Sequence, residues 1–378
     1  MIRVLHFVGV LNHGGIECWL MNLLRLQRPD IQFDFFTQSE GLFDREAIEL
    51  GANIYCHSIY HCYTYRSFIP LRDIILQGNY DVVHIHQYDF YGHILRIAQE
   101  CGTPIRVVHS HNTRIDKGRF VVTLLKEIYR YWIDIPQIKK YATALLACSQ
   151  EAGLLYFGKL WERKKSRNMV YCGIPVEPYD TIRNHGIRQK LCEYFGIDAD
   201  AIVIGTLGRL AYQKNHEFLI NVFAELSKRD KRYVLFIGGE GELRHNLESQ
   251  IRKHNLQDRV FLPGAVNNVP ELLCQLFDVF VLPSRFEGLN ICTIEATAAG
   301  LYSICSTIPN ELFDCIPERV TKLNLSASIS RWQDVIEEGI QKRISPKEGI
   351  DQIRTTPFTI DNSMDALMNT YKYYCNDK

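Results

Sequence analysis

The sequence carries no excess of charge of either sign: 43 lysines and arginines stand against 43 aspartates and glutamates in 378 residues. A chain that holds nucleic acid by bulk charge is clearly basic, so that class of function is excluded, although local basic patches are not. Any Cys-x-x-Cys pair is lacking too. The 12 cysteines are scattered, and Cys148, Cys274, Cys292 and Cys305 fall inside apolar runs, where cysteine behaves as a small hydrophobe. A zinc ribbon or thioredoxin-like motif therefore has no support, and reduced thiols in a cytosolic protein are the expectation. The longest stretch free of Asp, Glu, Lys and Arg, residues 50–65, is rich in His, Tyr and Ser, so no membrane span is expected. Met1–Val10 has neither a basic leader region nor a small-x-small cleavage site and reads as a first strand. Low-complexity segments, short-period repeats and the dinucleotide fingerprint G-x-G-x-x-G are all missing.

What is present is a chain of ordinary globular composition, 46% hydrophobic and 23% charged, long enough for two domains. Short apolar runs predict strands at 2–10, 31–37, 81–86, 105–110 and 143–148, and again at 202–208, 233–238, 259–263, 278–282 and 301–305. They are apolar nearly throughout rather than alternating, as in parallel sheets covered on both faces. Residues 16–26 and 215–229 show helical periodicity between such runs. The βαβ pattern occurs twice, which predicts two doubly wound α/β domains, residues 1–177 and 178–357. The break lies at Cys172–Pro178, where Gly173 and two prolines end both periodicities. A last helix over about 361–374, with Met364, Leu367, Met368 and Tyr371 on one face, is expected within 358–378, packed back on the first domain.

Ligands of open α/β sheets bind beyond the carboxyl ends of the strands, so the residues there are the informative ones. After the first strand comes Asn12-His13-Gly14-Gly15 and then a helix, whose start favours an anion. After the 202–208 run comes Gly208-Arg209, with Lys214 five residues on; a planar guanidinium and a movable ammonium suit a diphosphate. Gly238-Gly239-Glu240-Gly241 is another turn into a helix. The strongest feature is PSRFEGLNICTIEATAAG at 283–300. Glu287 sits on a loop and Glu295 on the helix after it. Carboxylates accept from sugar hydroxyls, and Gly288, Leu289, Asn290 and Ile291 supply free helix-start N–H groups for phosphate.

This segment resembles the E-x7-E signature of retaining glycosyltransferases of the GT-B fold, the GT4-like (glycosyltransferase group 1) family that includes capsular and exopolysaccharide enzymes. GGIE after the first strand, HSHNT at 109–113, GRLAYQKN at 208–215, GGEGE at 238–242 and DRVFLPGAVNNVPELL at 258–273 agree with the resemblance. The resemblance implies two Rossmann-like domains facing across a cleft, the first for the acceptor and the second for the donor. It implies that Arg209 and Lys214 hold the donor diphosphate, Glu287 the donor sugar and Glu295 the ribose. Gly14 and Gly15 would lie against the phosphate near Gly208 and Gly239, the Pro263–Val266 backbone against the base, and His111 beside the donor sugar. The sequence departs from the family pattern at Asn290 and at Ser306–Glu311.

Nine of the 13 histidines fall within the first 111 residues, among them His84, His86, His109 and His111. No cysteine or carboxylate pattern accompanies the H-x-H pairs, so packed or hydrogen-bonded histidines are expected rather than a metal site, with His111 the functional exception. No Asp-x-Asp follows a strand as for a metal-bound nucleotide, and neither a metal nor any other cofactor is expected. No carboxylate stands out as a nucleophile, so front-face substitution with retention is the implied chemistry. The partners implied are a nucleotide-diphosphate sugar, with uridine as the base, and a saccharide acceptor carried on a polyprenyl diphosphate. Residues 114–140 carry seven basic and three acidic residues among aromatics, and 159–167 five and one. Both suit peripheral contact with an anionic membrane surface from the cytoplasmic side. A nucleotide-sugar epimerase of the same fold and a non-catalytic partner subunit are the alternatives.

Overall fold

The apolar runs become strands of two parallel sheets in the computed structural model, which describes residues 1–58, 69–86, 91–111, 128–163, 167–307 and 315–376. Contacts divide the chain into two units, Met1–Gly173 with Ile360–Lys378, and Ile174–Thr359.

The first unit holds β1 (Ile2–Phe7), β2 (Ile31–Thr37), β3 (Ile54–Cys56), β4 (Val82–Ile85), β5 (Ile105–Ser110), β6 (Ala144–Ala147) and β7 (Arg167–Met169). Their order in the sheet is β3-β2-β1-β4-β5-β6-β7, parallel throughout. The second unit holds β8 (Ile202–Leu207), β9 (Tyr233–Gly238), β10 (Val260–Gly264), β11 (Val279–Leu282), β12 (Ser303–Ser306) and β13 (Val320–Leu323). Their order is β10-β9-β8-β11-β12-β13. Each sheet thus has the 3-2-1-4-5-6 winding of a Rossmann fold, with a reversal of strand order beside its first strand.

Three strands escape the sequence pattern. β3, β7 and β13 are short edge strands with mostly half-buried or exposed side chains, so no apolar run marks them. β1 stops at Phe7, before Gly9, although the Val8 N–H still reaches Phe36 O at 3.0 Å.

Both faces of the second sheet are buried: Leu235, Ile237 and Val281 pack with Val222, Phe223 and Trp332 on one, and Phe236 and Phe280 lie on the other. In the first unit the Gly15–Arg25 helix and the last helix, Ile360–Asn376, pack on each other. Met364, Leu367, Met368 and Tyr371 are all buried. The Trp19 Nε1–H donates to Ser363 Oγ at 2.8 Å, tying the two helices together.

Candidate active site

In the second unit the reversal point lies between β8 and β11, which pair side by side. The loops leaving their carboxyl ends carry the two motifs singled out in the sequence, and the fold brings them into contact. The Lys214 Nζ donates to Glu287 Oε1 at 2.8 Å. Glu287 also accepts from Ser284 Oγ at 2.6 Å and from Gln213 Nε2 at 3.1 Å. The loops are joined by backbone and amide bonds as well: Arg285 N–H to Gln213 O at 2.8 Å, and Asn215 Nδ2 to Pro283 O at 3.1 Å. Burial works against the Lys214 charge, but the charge and hydrogen bond of Glu287 more than offset it and raise the ammonium pKa; Arg209 opposes them. Lys214 is therefore a fixed cation. An ammonium has three donors, so donors remain for phosphate oxygens. Arg209 is exposed at the start of the same loop.

Glycines let these loops close on one another. Gly208 and Gly239 both have φ of +148°, a region side-chain-bearing residues rarely adopt. A Cβ on Gly239 would lie 2.1 Å from Gly208 O. The Gly208 N–H donates to Gly238 O at 2.9 Å and the Leu210 N–H to Glu240 O at 2.8 Å. Val266, after β10, comes within 3.3 Å of where a Cβ on Gly238 would stand, so it too lies at this edge of the sheet.

Gly288, Leu289 and Asn290 lead into the Ile291–Ala298 helix. Asn290 is buried and donates to Thr293 Oγ1 at 2.6 Å, while its Oδ1 has no hydrogen-bond partner. Glu295, one turn into that helix, accepts from Tyr179 OH at 3.1 Å. Desolvation pushes the Glu295 carboxyl up to about 7, against hydrogen bonds from Tyr179 and Cys292. Ser306, where the sequence departs from the family pattern, donates its hydroxyl to Ser284 O. Residues 308–311 of that departure lie outside the described residues.

The other three expected residues belong to the first unit. Gly14 caps the Gly15–Arg25 helix without a side-chain bond. The Glu17 carboxylate curls back over this start, its Oε2 2.1 Å from where a Cβ on Gly14 would be. Burial raises the Glu17 pKa, and a hydrogen bond from its own backbone opposes the shift. His111, at the end of β5, is buried and pushed down to about 3 by desolvation, so it is neutral. Both its ring nitrogens face protein groups: Nε2 lies 2.9 Å from His86 Nδ1, and Nδ1 lies 3.6 Å from Cys172 Sγ. Asn112 and Thr113 of the HSHNT segment lie outside the described residues, as do 114–127 and 164–166 of the basic segments.

Comparison with known proteins settles the family. Residues 13–174 match the family described as Glycosyltransferase Family 4, and residues 188–322 that described as Glycosyl transferases group 1. EpsF of Bacillus subtilis (strain 168), named as a glycosyltransferase, is 33% identical over 378 residues, spanning 98% of this chain and 96% of EpsF. The chain belongs to the group 1 glycosyl transferases. This glycosyltransferase is also 29% identical over 266 residues to UDP-Gal:alpha-D-GlcNAc-diphosphoundecaprenol alpha-1,3-galactosyltransferase of Escherichia coli, over 67% of this chain and 64% of that one. Among solved structures, HepE of Anabaena in complex with UDP-glucose superposes with a TM-score of 0.79 at 16% identity, covering 99% and 100% of the two chains. That likeness concerns the fold, which is GT-B.

In this glycosyltransferase several neighbours of the site carry little sequence signal. Gln213 and Ser284 flank the motif residues, and only the three-dimensional closure of the two loops shows that they hold Glu287. Tyr179 lies 116 residues from Glu295 in sequence. Nothing in a single sequence links them. Glu17 stands in the GGIE segment, but its fold back over Gly14 is not legible there.

Proposed function

We propose that this glycosyltransferase moves a hexose or N-acetylhexosamine, with retention at the anomeric carbon, from a UDP-sugar to a saccharide carried on a polyprenyl diphosphate. The observation that carries the reading is the buried Lys214–Glu287 pair, fixed by Ser284 and Gln213 where β8 and β11 end. It places a permanent cation beside a fixed acceptor for hydroxyls. Lys214 and Arg209 hold the diphosphate and stabilise the charge of the departing nucleotide, which is the main protein contribution in front-face substitution. No metal ion is required for that step, because the cations are supplied by side chains. Glu287 takes donor-sugar hydroxyls, Glu295 the ribose, and the helix start at Gly288–Ile291 the phosphate. Gly14, Gly15 and His111 are assigned to the reaction from the first unit.

The uridine donor and lipid-linked acceptor are supported by what the Escherichia coli relative is named for and by the UDP-glucose bound to HepE. Peripheral membrane contact is supported by Tyr131 and Trp132, 67% and 74% exposed, followed by Lys139 and Lys140. No helix among the described residues is long and apolar enough to cross a membrane. The test is a thermal-shift series with UDP-, GDP- and ADP-sugars, followed by UDP release with and without a polyprenyl-diphosphate sugar. Stabilisation by UDP-sugars alone, and release that depends on the lipid-linked acceptor, is the expected result. Equal stabilisation by all three, or release indifferent to acceptor, refutes the assignment.

A further inference from the structure

Five histidines from three neighbouring strands lie on one face of the first sheet: His6 on β1, His84 and His86 at β4, and His109 and His111 at β5. All are buried. The H-x-H pairs are separated in sequence, and pairing of β4 with β5 makes them one layer. The ring centroids of His109 and His111 lie 4.0 Å apart, and those of His86 and His111 5.2 Å.

Within this layer, His86, His109 and His111 each have one ring nitrogen facing a protein group outside the trio. His109 Nε2 lies 3.2 Å from Val170 O, so that nitrogen carries the proton. His86 Nε2 lies 3.0 Å from His6 Nδ1, and His111 Nδ1 lies 3.6 Å from Cys172 Sγ. When those three nitrogens donate, the lone pairs remaining are His86 Nδ1, His109 Nδ1 and His111 Nε2. His109 Nδ1 is buried and has no hydrogen-bond partner. The three residues can each offer one ligand atom within 4.8 Å of the others. All three imidazoles are buried, and the neutral imidazole is the form that binds metals.

We propose that His86, His109 and His111 form a binding site for one divalent transition ion of the zinc class, distinct from the donor-phosphate residues of the second unit. Three neutral imidazoles, each donating its other N–H outward, are the arrangement in which histidine binds such ions, because the outer bond fixes the tautomer and raises the basicity of the inner nitrogen. Borderline ions such as Zn2+ and Co2+ suit three nitrogens better than Mg2+ or Ca2+ do. A tetrahedral ion with bonds of about 2.0–2.1 Å needs ligand atoms roughly 3.3 Å apart, so His86 Nδ1 and His111 Nε2, 2.9 Å apart without metal, open by a few tenths of an ångström to admit it. No proton need leave the trio: the proton between His86 and His111 in the metal-free layer moves to His111 Nδ1, toward Cys172. The fourth ligand is a water. The site shares His111 with the proposed transfer reaction, but metal binding is read on the chain without donor or acceptor, so its failure and the failure of that reading are distinguishable.

The experiment uses the full chain, stripped with chelator and titrated with Co2+ and Zn2+. Expected are the visible ligand-field bands of a tetrahedral cobalt ion at one equivalent, displacement of Co2+ by Zn2+, and a rise in melting temperature with Zn2+. His109→Gln abolishes the bands, Cys172→Ala weakens binding about tenfold through the lost outer contact, and His84→Gln leaves both unchanged. Absence of cobalt bands in the folded wild-type chain overturns the proposal without any variant. So does binding that survives His109→Gln but is lost in His84→Gln, which would put the ion among His6, His84 and His86 instead.

Discussion

Replacing Glu287 and Lys214 one at a time and together tests the reading of the site most directly. Their side chains are 5% and 15% exposed, and they meet at 2.8 Å. Removing one partner of a buried pair generally costs about 3–5 kcal/mol, because the other charge is left uncompensated. The two single changes are not equivalent here. In Lys214→Met the carboxylate keeps donors from Ser284 at 2.6 Å and Gln213 at 3.1 Å, so the cost falls below that range. In Glu287→Met the ammonium loses its carboxylate and remains beside the like charge of Arg209, so the cost reaches the range. The double variant leaves no buried charge at the pair and should recover roughly 1–3 kcal/mol relative to the sum of the single costs. Urea unfolding followed by circular dichroism gives the four free energies, and UDP release in the same preparations gives the rates. Both single variants and the double one should lose about 100-fold or more in transfer, since Lys214→Met removes the cation at the departing diphosphate, Glu287→Met removes the acceptor for the donor sugar, and regained stability restores neither. Additive stability costs, a greater cost for Lys214→Met than for Glu287→Met, or unchanged transfer would each refute the reasoning.

Glu295 gives a pH prediction. Its carboxyl is held at about 7 in the fold against an ordinary 4.5, so the folded chain retains a proton that the unfolded chain releases between those values. Stability contributed by this group is therefore full below about 4.5 and lost as pH rises through about 7. Melting curves of wild type and Glu295→Gln should diverge in favour of the variant across that window and run parallel outside it; parallel curves throughout would sink the idea. Gly239→Ala forces a Cβ to within 2.1 Å of Gly208 O at a φ of +148°, and should cost about 2–3 kcal/mol or more with a matching fall in melting temperature. Tyr371→Phe removes the hydroxyl 2.6 Å from His84 Nδ1 and should cost about 1–3 kcal/mol in urea unfolding; a neutral result would mean that His84 finds another partner. Trp132→Ala, at a side chain 74% exposed, should reduce sedimentation with anionic vesicles without altering the melting temperature, and unchanged sedimentation would argue against membrane contact there.

The fold was legible where burial on both faces writes itself as a continuous apolar run. The ten anticipated strands are such runs, and β3, β7 and β13 were missed because an edge strand buries too little to leave that mark. In the second unit, Glu287 and Lys214 could each be picked out because their loops follow strands. That they touch each other could not, since contact depends on β11 lying directly beside β8 rather than in sequence order. The histidine layer illustrates the same limit more sharply. Read along the chain, His84-x-His86 and His109-x-His111 are two separate pairs; strand pairing brings them into one hydrogen-bonded layer. Tyr179 and Cys172 act through contacts that no spacing encodes.

The first unit is assembled from two pieces of chain separated by the whole of the second. The last helix supplies Ser363 to Trp19 and Tyr371 to His84, so residues near the carboxyl end finish a layer begun at residue 6. During synthesis at 5–20 residues per second, the Ile174–Thr359 stretch takes about 10–40 s to appear. For that time the nascent first sheet carries an apolar and imidazole-lined face without its final cover, while the second unit emerges as a continuous segment able to fold first. A stop at Thr359, which would leave the second unit whole, would therefore damage the first, leaving the β1–β4–β5 face exposed to chaperones and proteases.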